Sequence, residues 1–203
     1  MKIPSTIKNI IKDSNIIEFE EFHVSGDNVF NIDNKYILKV SLDTNRLYEE
    51  YQKDSWFYKV LPSAKPIKFI IEDNIAYYLR EYLDGEVLCL PKYLERPDIL
   101  IKLLKEALEI FHSITPEDCP FIVGDGKTLI HGDFCLPNIL VKNDKVIGFI
   151  DLGNAGIGDI WCDYAWCIWS FEYNLKSNEY TSKLLKELNI EFNEEKFNYY
   201  TKD

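Results

Sequence analysis

Apolar positions alternate with period two through much of the first third of the chain, and recur every three or four residues in most of the remainder. Strands are predicted in "IIEFEEFHV" (16–24), "VFNI" (29–32) and "KYILKV" (35–40), with a tight turn at "SGDN" (25–28). "PIKFII" (66–71) and "IAYYLREYL" (75–83) give two more strands around a turn at Asp73–Asn74. A short amphipathic helix over Ser5–Lys12 precedes this meander. A longer one over 44–60 has Asp43 or Thr44 as N-cap and a face of Leu47, Tyr51, Ser55 and Tyr58, and it ends before Pro62. From "LDGE" (83–86) onward the pattern turns helical. Pro97 suits the first turn of a helix whose buried stripe is Ile99, Leu100, Leu103, Leu104, Ala107, Leu108 and Phe111. After "ITPEDCP" (114–120) come a hairpin over 139–150 and helices from Asp159 or Ile160 to about Asn174, over 178–188, and in "EEKFNYYTKD". The expected class is α+β. An N-terminal lobe, 1–83, is an antiparallel sheet plus helix, and a mainly helical C-terminal lobe, 84–203, holds the 139–150 hairpin. The junction of two such lobes is a common place to hold a ligand.

The segment "HGDFCLPNILVKNDKVIGFID" (131–151) carries the densest chemistry. Folding "ILV" and "VIGFI" back at Lys142–Lys145 pairs residues whose numbers sum to about 287–289. Asn138 and Asp151 then fall at the same open end of the ribbon, with Asp133 on the loop just upstream. Oxygen donors so grouped suit a hard cation such as Mg²⁺, completed by water and substrate phosphates. The same spacing also fits an ordinary hairpin with solvated ends.

Composition narrows the classes. At 203 residues the chain can bury a core, and its 46% hydrophobic and 14% aromatic content is that of a folded protein. No apolar run reaches the ~18 residues a membrane span needs, and the first residues lack a signal peptide's apolar stretch. Five cysteines (89, 119, 135, 162, 167) without a CxxC pair point to reduced thiols and a cytoplasmic location, not to disulfides or zinc. A net charge of −11 argues against nucleic acid as a partner and fits a cationic small molecule, though acidity also simply aids solubility. Oligomeric state is left open.

"HGDFCLPNILV" followed by "GFIDLGNAGIGDIWCDYA" resembles the aminoglycoside O-phosphotransferases, especially their 3′-hydroxyl branch, which share the bilobal protein-kinase-like fold. An Asp, an Asn five residues on and a second Asp across a hairpin is the kinase catalytic layout. The resemblance implies ATP and Mg²⁺ as cofactors and antibiotic resistance by modification as the biological role. It implies that Asp133 orients the acceptor hydroxyl and takes its proton, and that Asn138 and Asp151 hold Mg²⁺. Lys39 would reach the nucleotide phosphates, with Glu50 (not Glu49, counting back from Trp56) pairing to it. Ile37, on the same strand face as Lys39, would lie over the adenine. Backbone groups of Glu81 and Leu83 would meet the base edge, and Ser25 and nearby amides would cover the phosphates. His131 is expected to shape the catalytic loop and not to act as base. His112 is expected to cap or pack, Asp159 and Asp163 to start a helix and anchor a loop, and Cys135 to pack.

Three features depart from the family. "IVGDGKTLI" (122–130) stands where relatives have several more helices walling the acceptor site, and the last helix is short. Glu172, Tyr173 and Asn174 stand where relatives often present acidic residues to the substrate's amines, and Asn154 replaces a common basic residue. Three readings remain in play: an aminoglycoside kinase, a kinase with another acceptor, or a nucleotide-binding protein with little transfer activity.

Overall fold

In the computed structural model residues 3–19 and 27–202 are described. Two units form, Met1–Lys59 with Ser63–Asp84, and Val60–Pro62 with Gly85–Asp203.

In the first unit, α1 (Ser5–Ile11) precedes β1 (Ile16–Glu18), β2 (Asn28–Ile32) and β3 (Tyr36–Ser41). Then come α2 (Thr44–Phe57), β4 (Pro66–Glu72) and β5 (Ile75–Glu81). The strands pair antiparallel in the order β1-β2-β3-β5-β4. Asp73 and Asn74 both take positive φ, which a two-residue hairpin turn demands and which Asn and Asp tolerate. Strand alternation splits the sheet. Phe30, Ile32, Leu38, Val40, Tyr77 and Leu79 pack with Ile3, Ile7 and Ile11 of the N-terminal segment. Leu47 of α2 packs with Ala76 and Tyr78 on the other face. The α2 helix starts where Asp43 accepts a hydrogen bond from the Arg46 N–H (3.0 Å).

The buried face of α2 differs from expectation. Leu47, Glu50, Asp54 and Phe57 are buried, while Tyr51 and Ser55 are half-buried and Tyr58 lies past the helix end, exposed. The buried face is turned by roughly 75° at 100° per residue, because the helix meets a charged strand face and answers it with carboxylates. Of the strand expected over 16–24, Ile16–Glu18 is described as strand, and the residues from Glu20 to Gly26 lie outside the described ones.

In the second unit, β6 (Glu86–Val87) and α3 (Pro91–Leu94) lead into α4 (Pro97–His112). After these come β7 (Thr128–Ile130), β8 (Ile139–Lys142), β9 (Lys145–Phe149) and β10 (Gly156–Gly158). Three helices close the chain, α5 (Ile160–Leu175), α6 (Thr181–Leu188) and α7 (Glu194–Thr201). In α4 the buried stripe takes in Ile101 and leaves Ile99 half-buried. Residues Val60–Pro62 join this unit, where Pro62 C=O accepts from the Phe149 N–H (3.0 Å). The β8–β9 hairpin has Ile139 opposite Phe149 and Lys142 opposite Lys145, with Asn143 and Asp144 both at positive φ in the turn. The short β7–β10 pair and α3 have no periodicity to announce them, being three or four residues each.

Candidate active site

In the first unit, β3 presents Ile37, Lys39 and Ser41 on one face, opposite Arg80, Tyr78 and Ala76 of β5. Both Lys39 and Ile37 are 8% exposed. Lys39 Nζ meets Glu50 Oε1 at 2.6 Å, while Glu49 points to solvent. Arg46, one turn earlier on α2, faces Glu50 Oε2 at 3.6 Å and is also bound to Asp27. A buried, paired ammonium is held in one place. At the end of β5 the Glu81 N–H donates to Lys65 C=O (2.9 Å) and the Tyr82 N–H to Lys35 C=O (2.8 Å). Of the two base-edge candidates, Glu81 therefore has only its carbonyl to offer; Leu83 comes next but one, half-buried, in irregular backbone. Ser25 lies outside the described residues.

In the second unit, one buried carboxylate organises the loop after β7. Asp163, in the first turn of α5 and fully buried, accepts from the His131 N–H at Oδ2 and the Gly132 N–H at Oδ1, both at 2.9 Å. His112 Nε2 lies 2.9 Å from the same Oδ2. Carboxylate oxygens only accept, so the imidazole donates. Gly132 has φ +78°, and a Cβ there would lie 2.4 Å from Asn154 O, so this position tolerates only glycine without strain. The His131 ring is buried against Phe111, Phe134 and Phe149, and its Nε2 donates to Ile150 C=O (3.0 Å). A ring so placed shapes the loop and the end of β9.

Beyond the loop Asp133 and Asn138 meet. Asn138 Nδ2 donates to Asp133 Oδ2 (2.9 Å) and to Asp133 O (3.0 Å). Because both partners only accept, the amide orientation is settled by chemistry, and Asn138 Oδ1 faces elsewhere as an oxygen donor. The Ile150 N–H donates to Asn138 C=O (3.0 Å), which brings the next residue, Asp151, to the same end of the ribbon. Asp151 is exposed and left-handed (φ 59°, ψ 51°), and the chain leaves the strand there into a short 3₁₀ turn. Asp133 and Asn138 are thus in contact, with Asp151 beside them along the backbone. Among the described residues no group of three or more His, Cys, Asp or Glu forms a self-sufficient metal cage. An amide oxygen with one or two carboxylates instead fits a cation that shares its shell with substrate phosphates.

All five cysteines are free. Burial first, then the neighbouring Asp133, pushes the Cys135 thiol well above its ordinary range, and burial lifts Cys162 to about 12. Neither yields thiolate at neutral pH. Asp159 caps α5 by accepting from the Trp161 N–H (3.0 Å) and binds Lys196 (2.7 Å), a structural role. Sequence reading missed the buried Asp54, Tyr78 and Arg80 around Lys39; the available signal was a second acid four residues after Glu50 and an arginine inside a strand.

The family model described as "Phosphotransferase enzyme family" matches residues 124–193, which spans the loop, the ribbon and α5. A probable aminoglycoside 3'-phosphotransferase of Lactococcus lactis is 26% identical over 228 residues, covering 90% of this chain and 86% of its own. An aminoglycoside 3'-phosphotransferase of Enterococcus faecalis is 29% identical, covering 74% of this chain and 76% of its own. The first alignment is longer than this 203-residue chain, so that relative carries residues with no counterpart here. Aminoglycoside phosphotransferase APH(3'')-Id of Streptomyces rimosus superposes with a TM-score of 0.80 at 19% identity, covering 96% of this chain and 93% of its own. In sequence over most of its length this chain is similar to aminoglycoside 3'-phosphotransferases, and its fold is the protein-kinase-like one of the solved aminoglycoside phosphotransferases.

Proposed function

We propose that this chain is an ATP- and Mg²⁺-dependent small-molecule kinase that transfers the γ-phosphate to a hydroxyl of an aminoglycoside-like polycation, with resistance by modification as its role. The observation that carries the reading is the Asp133–Asn138 contact. It spends the amide's donors on Asp133 and so leaves the amide oxygen for another partner, with Asp151 next to the residue that bonds the Asn138 carbonyl. The relatives are named for the same activity, and in one solved structure the Streptomyces rimosus enzyme is in complex with ADP and streptomycin.

Asn138 Oδ1 and the Asp151 carboxylate would hold the Mg²⁺, which when bound neutralises phosphate oxygens. The second unit would also supply the acceptor's partner: Asp133 orients the hydroxyl and takes its proton, its carboxylate aimed by the Asn138 amide. Phosphoryl transfer is mainly positioning and charge neutralisation, so aim matters more than basicity. The first unit would supply Lys39 for phosphate oxygens, kept in place by Glu50, with Ile37 as an apolar surface for the adenine and Glu81 and Leu83 for its edge. Ser25 would cover the phosphates. The net charge of −11 favours a cationic acceptor, and five free thiols suit the cytoplasm. No helix described is long and apolar enough to cross a membrane.

A second reading keeps the transfer and changes the acceptor. It is favoured by the residues that the Lactococcus relative has and this chain lacks, and by the exposed, stacked Trp169–Tyr173 pair on α5. Purified protein with Mg·ATP and a panel of aminoglycosides decides between them. Acceptor-dependent ADP release that is lost in Asp133→Ala supports the first reading; release with other hydroxyl compounds only supports the second. Release that Asp133→Ala leaves unchanged, or none with any acceptor, contradicts the transfer chemistry.

A further inference from the structure

The sheet face that carries Lys39 carries a second charged pair. One turn beyond Glu50, α2 turns Asp54 inward, 3% exposed, toward β5. Tyr78, cross-strand neighbour of Lys39, donates its hydroxyl to Asp54 Oδ2 at 2.6 Å. Arg80, two residues on and therefore on the same face, is 6% exposed, and its charge favours the ionised form of Asp54. This layer brings three cations, Lys39, Arg46 and Arg80, to three carboxylates, Asp27, Glu50 and Asp54. Asp27 is engaged by Arg46, and Glu50 by Lys39 with Arg46 behind it.

We propose that Asp54 is a positioning residue for the Lys39–Glu50 pair: it answers the Arg80 charge and ties α2 to β5 through Tyr78, so that Glu50 remains with Lys39. The proposal rests on the reading of Lys39 as a phosphate-binding group. Its physical basis is that Asp54 and Arg80 are both buried on the face that carries Lys39, with Asp54 fixed by Tyr78. Without the Asp54 charge, the buried Arg80 loses a carboxylate that acts on it, and Glu50, one helical turn away, is drawn toward it. Glu50 then divides between Arg80 and Lys39, and the ammonium loses its fixed place.

Titration of Asp54 supports the same picture. Burial is the largest influence and lifts its carboxyl to about 6; Arg80 pulls it down, Glu50 pushes it up, and the Tyr78 hydrogen bond and the Lys39 charge pull it down. Those four groups, from α2, β3 and β5, are the charged and titratable neighbours that act on it. The folded value lies above the unfolded one, so between about 4 and 6 the folded protein holds a proton that the unfolded chain releases. Stability therefore falls as pH rises through that window. A carboxylate kept charged at neutral pH against that cost suits a positional task.

The test uses the full chain as wild type, Asp54→Asn, Arg80→Met and the double variant, with Mg·ATP affinity measured by calorimetry from pH 5 to 8. Asp54→Asn is expected to bind about tenfold more weakly at pH 7.5, and the double variant to return to within about threefold of wild type. Wild-type affinity is expected to fall as pH drops through about 6, while Arg80→Met and the double variant stay flat there. A crystal structure of Asp54→Asn should show Glu50 turned toward Arg80 and parted from Lys39. Equal affinity and pH profile in wild type and Asp54→Asn overturns the proposal, as does an unchanged Lys39–Glu50 contact in that crystal. If Asp54→Asn does not fold, Arg80→Met decides alone, since a wild-type-like pH profile in it overturns the proposal. Wild type that binds no Mg·ATP sinks the nucleotide reading, and the crystal structure still judges Asp54 separately.

Discussion

On the sheet of the first unit, the group of interest is an ammonium held by side chains: Lys39 by Glu50, with Arg46, Asp27, Asp54 and Arg80 around it. In the second unit the group of interest is a carboxylate on a loop held through backbone: Asp163 binds the His131 and Gly132 N–H groups, and His131 binds the Ile150 carbonyl. The first arrangement depends on paired side-chain charges. The second depends on one buried carboxylate that fixes backbone N–H groups. The difference suits the tasks proposed for them, since a cation for phosphates must remain charged while desolvated, and an acid for a hydroxyl must be aimed.

The contrast is most exposed at Asp163. Asp163→Ala leaves two buried N–H groups and His112 without their acceptor and should cost roughly 3–5 kcal/mol in urea unfolding. A loss near that of an ordinary surface change would show that the loop is held by something else. Next is Lys39→Met, which leaves Glu50 in a buried place with Arg46 at 3.6 Å. The expected loss is ~3 kcal/mol, together with weaker Mg·ATP binding. Stability unchanged by this substitution would mean that the pair is looser than its 2.6 Å contact implies. The smallest of the three is Gly132→Ala. With φ at +78° and Asn154 O in the way, it should cost roughly 2 kcal/mol and lower turnover more than it weakens nucleotide binding. Equal effects on both would blur the separation between the two regions.

Much of this was legible in the chain itself. Strand alternation placed Ile37 with Lys39, and the hairpin arithmetic paired Ile139 with Phe149 and set Asn138 beside the end of β9. Both come from periods of two and from turn residues, which are local. The choice of Glu50 over Glu49 needed the family register, because both are charged and adjacent, and only packing tells them apart. The rotated face of α2 was not legible, since Glu50 and Asp54 are buried by charges on a strand and hydrophobic periodicity cannot report that. Nor were β7 and β10, whose few residues pair across a long sequence separation. The Asn138 amide's commitment to Asp133 was likewise hidden, being a matter of side-chain geometry and not of spacing.

The proposed chemistry stands on Asn138 and Asp151 holding a metal for the phosphates of a nucleotide. Calorimetric titration of ATP into wild type and Asp151→Asn, each with and without Mg²⁺, puts that to the test. Mg²⁺ is expected to strengthen binding by about tenfold or more in wild type, ~1.4 kcal/mol, and the metal effect to vanish in Asp151→Asn. Equal affinity with and without the metal in wild type, or an undiminished metal effect in the variant, would refute it.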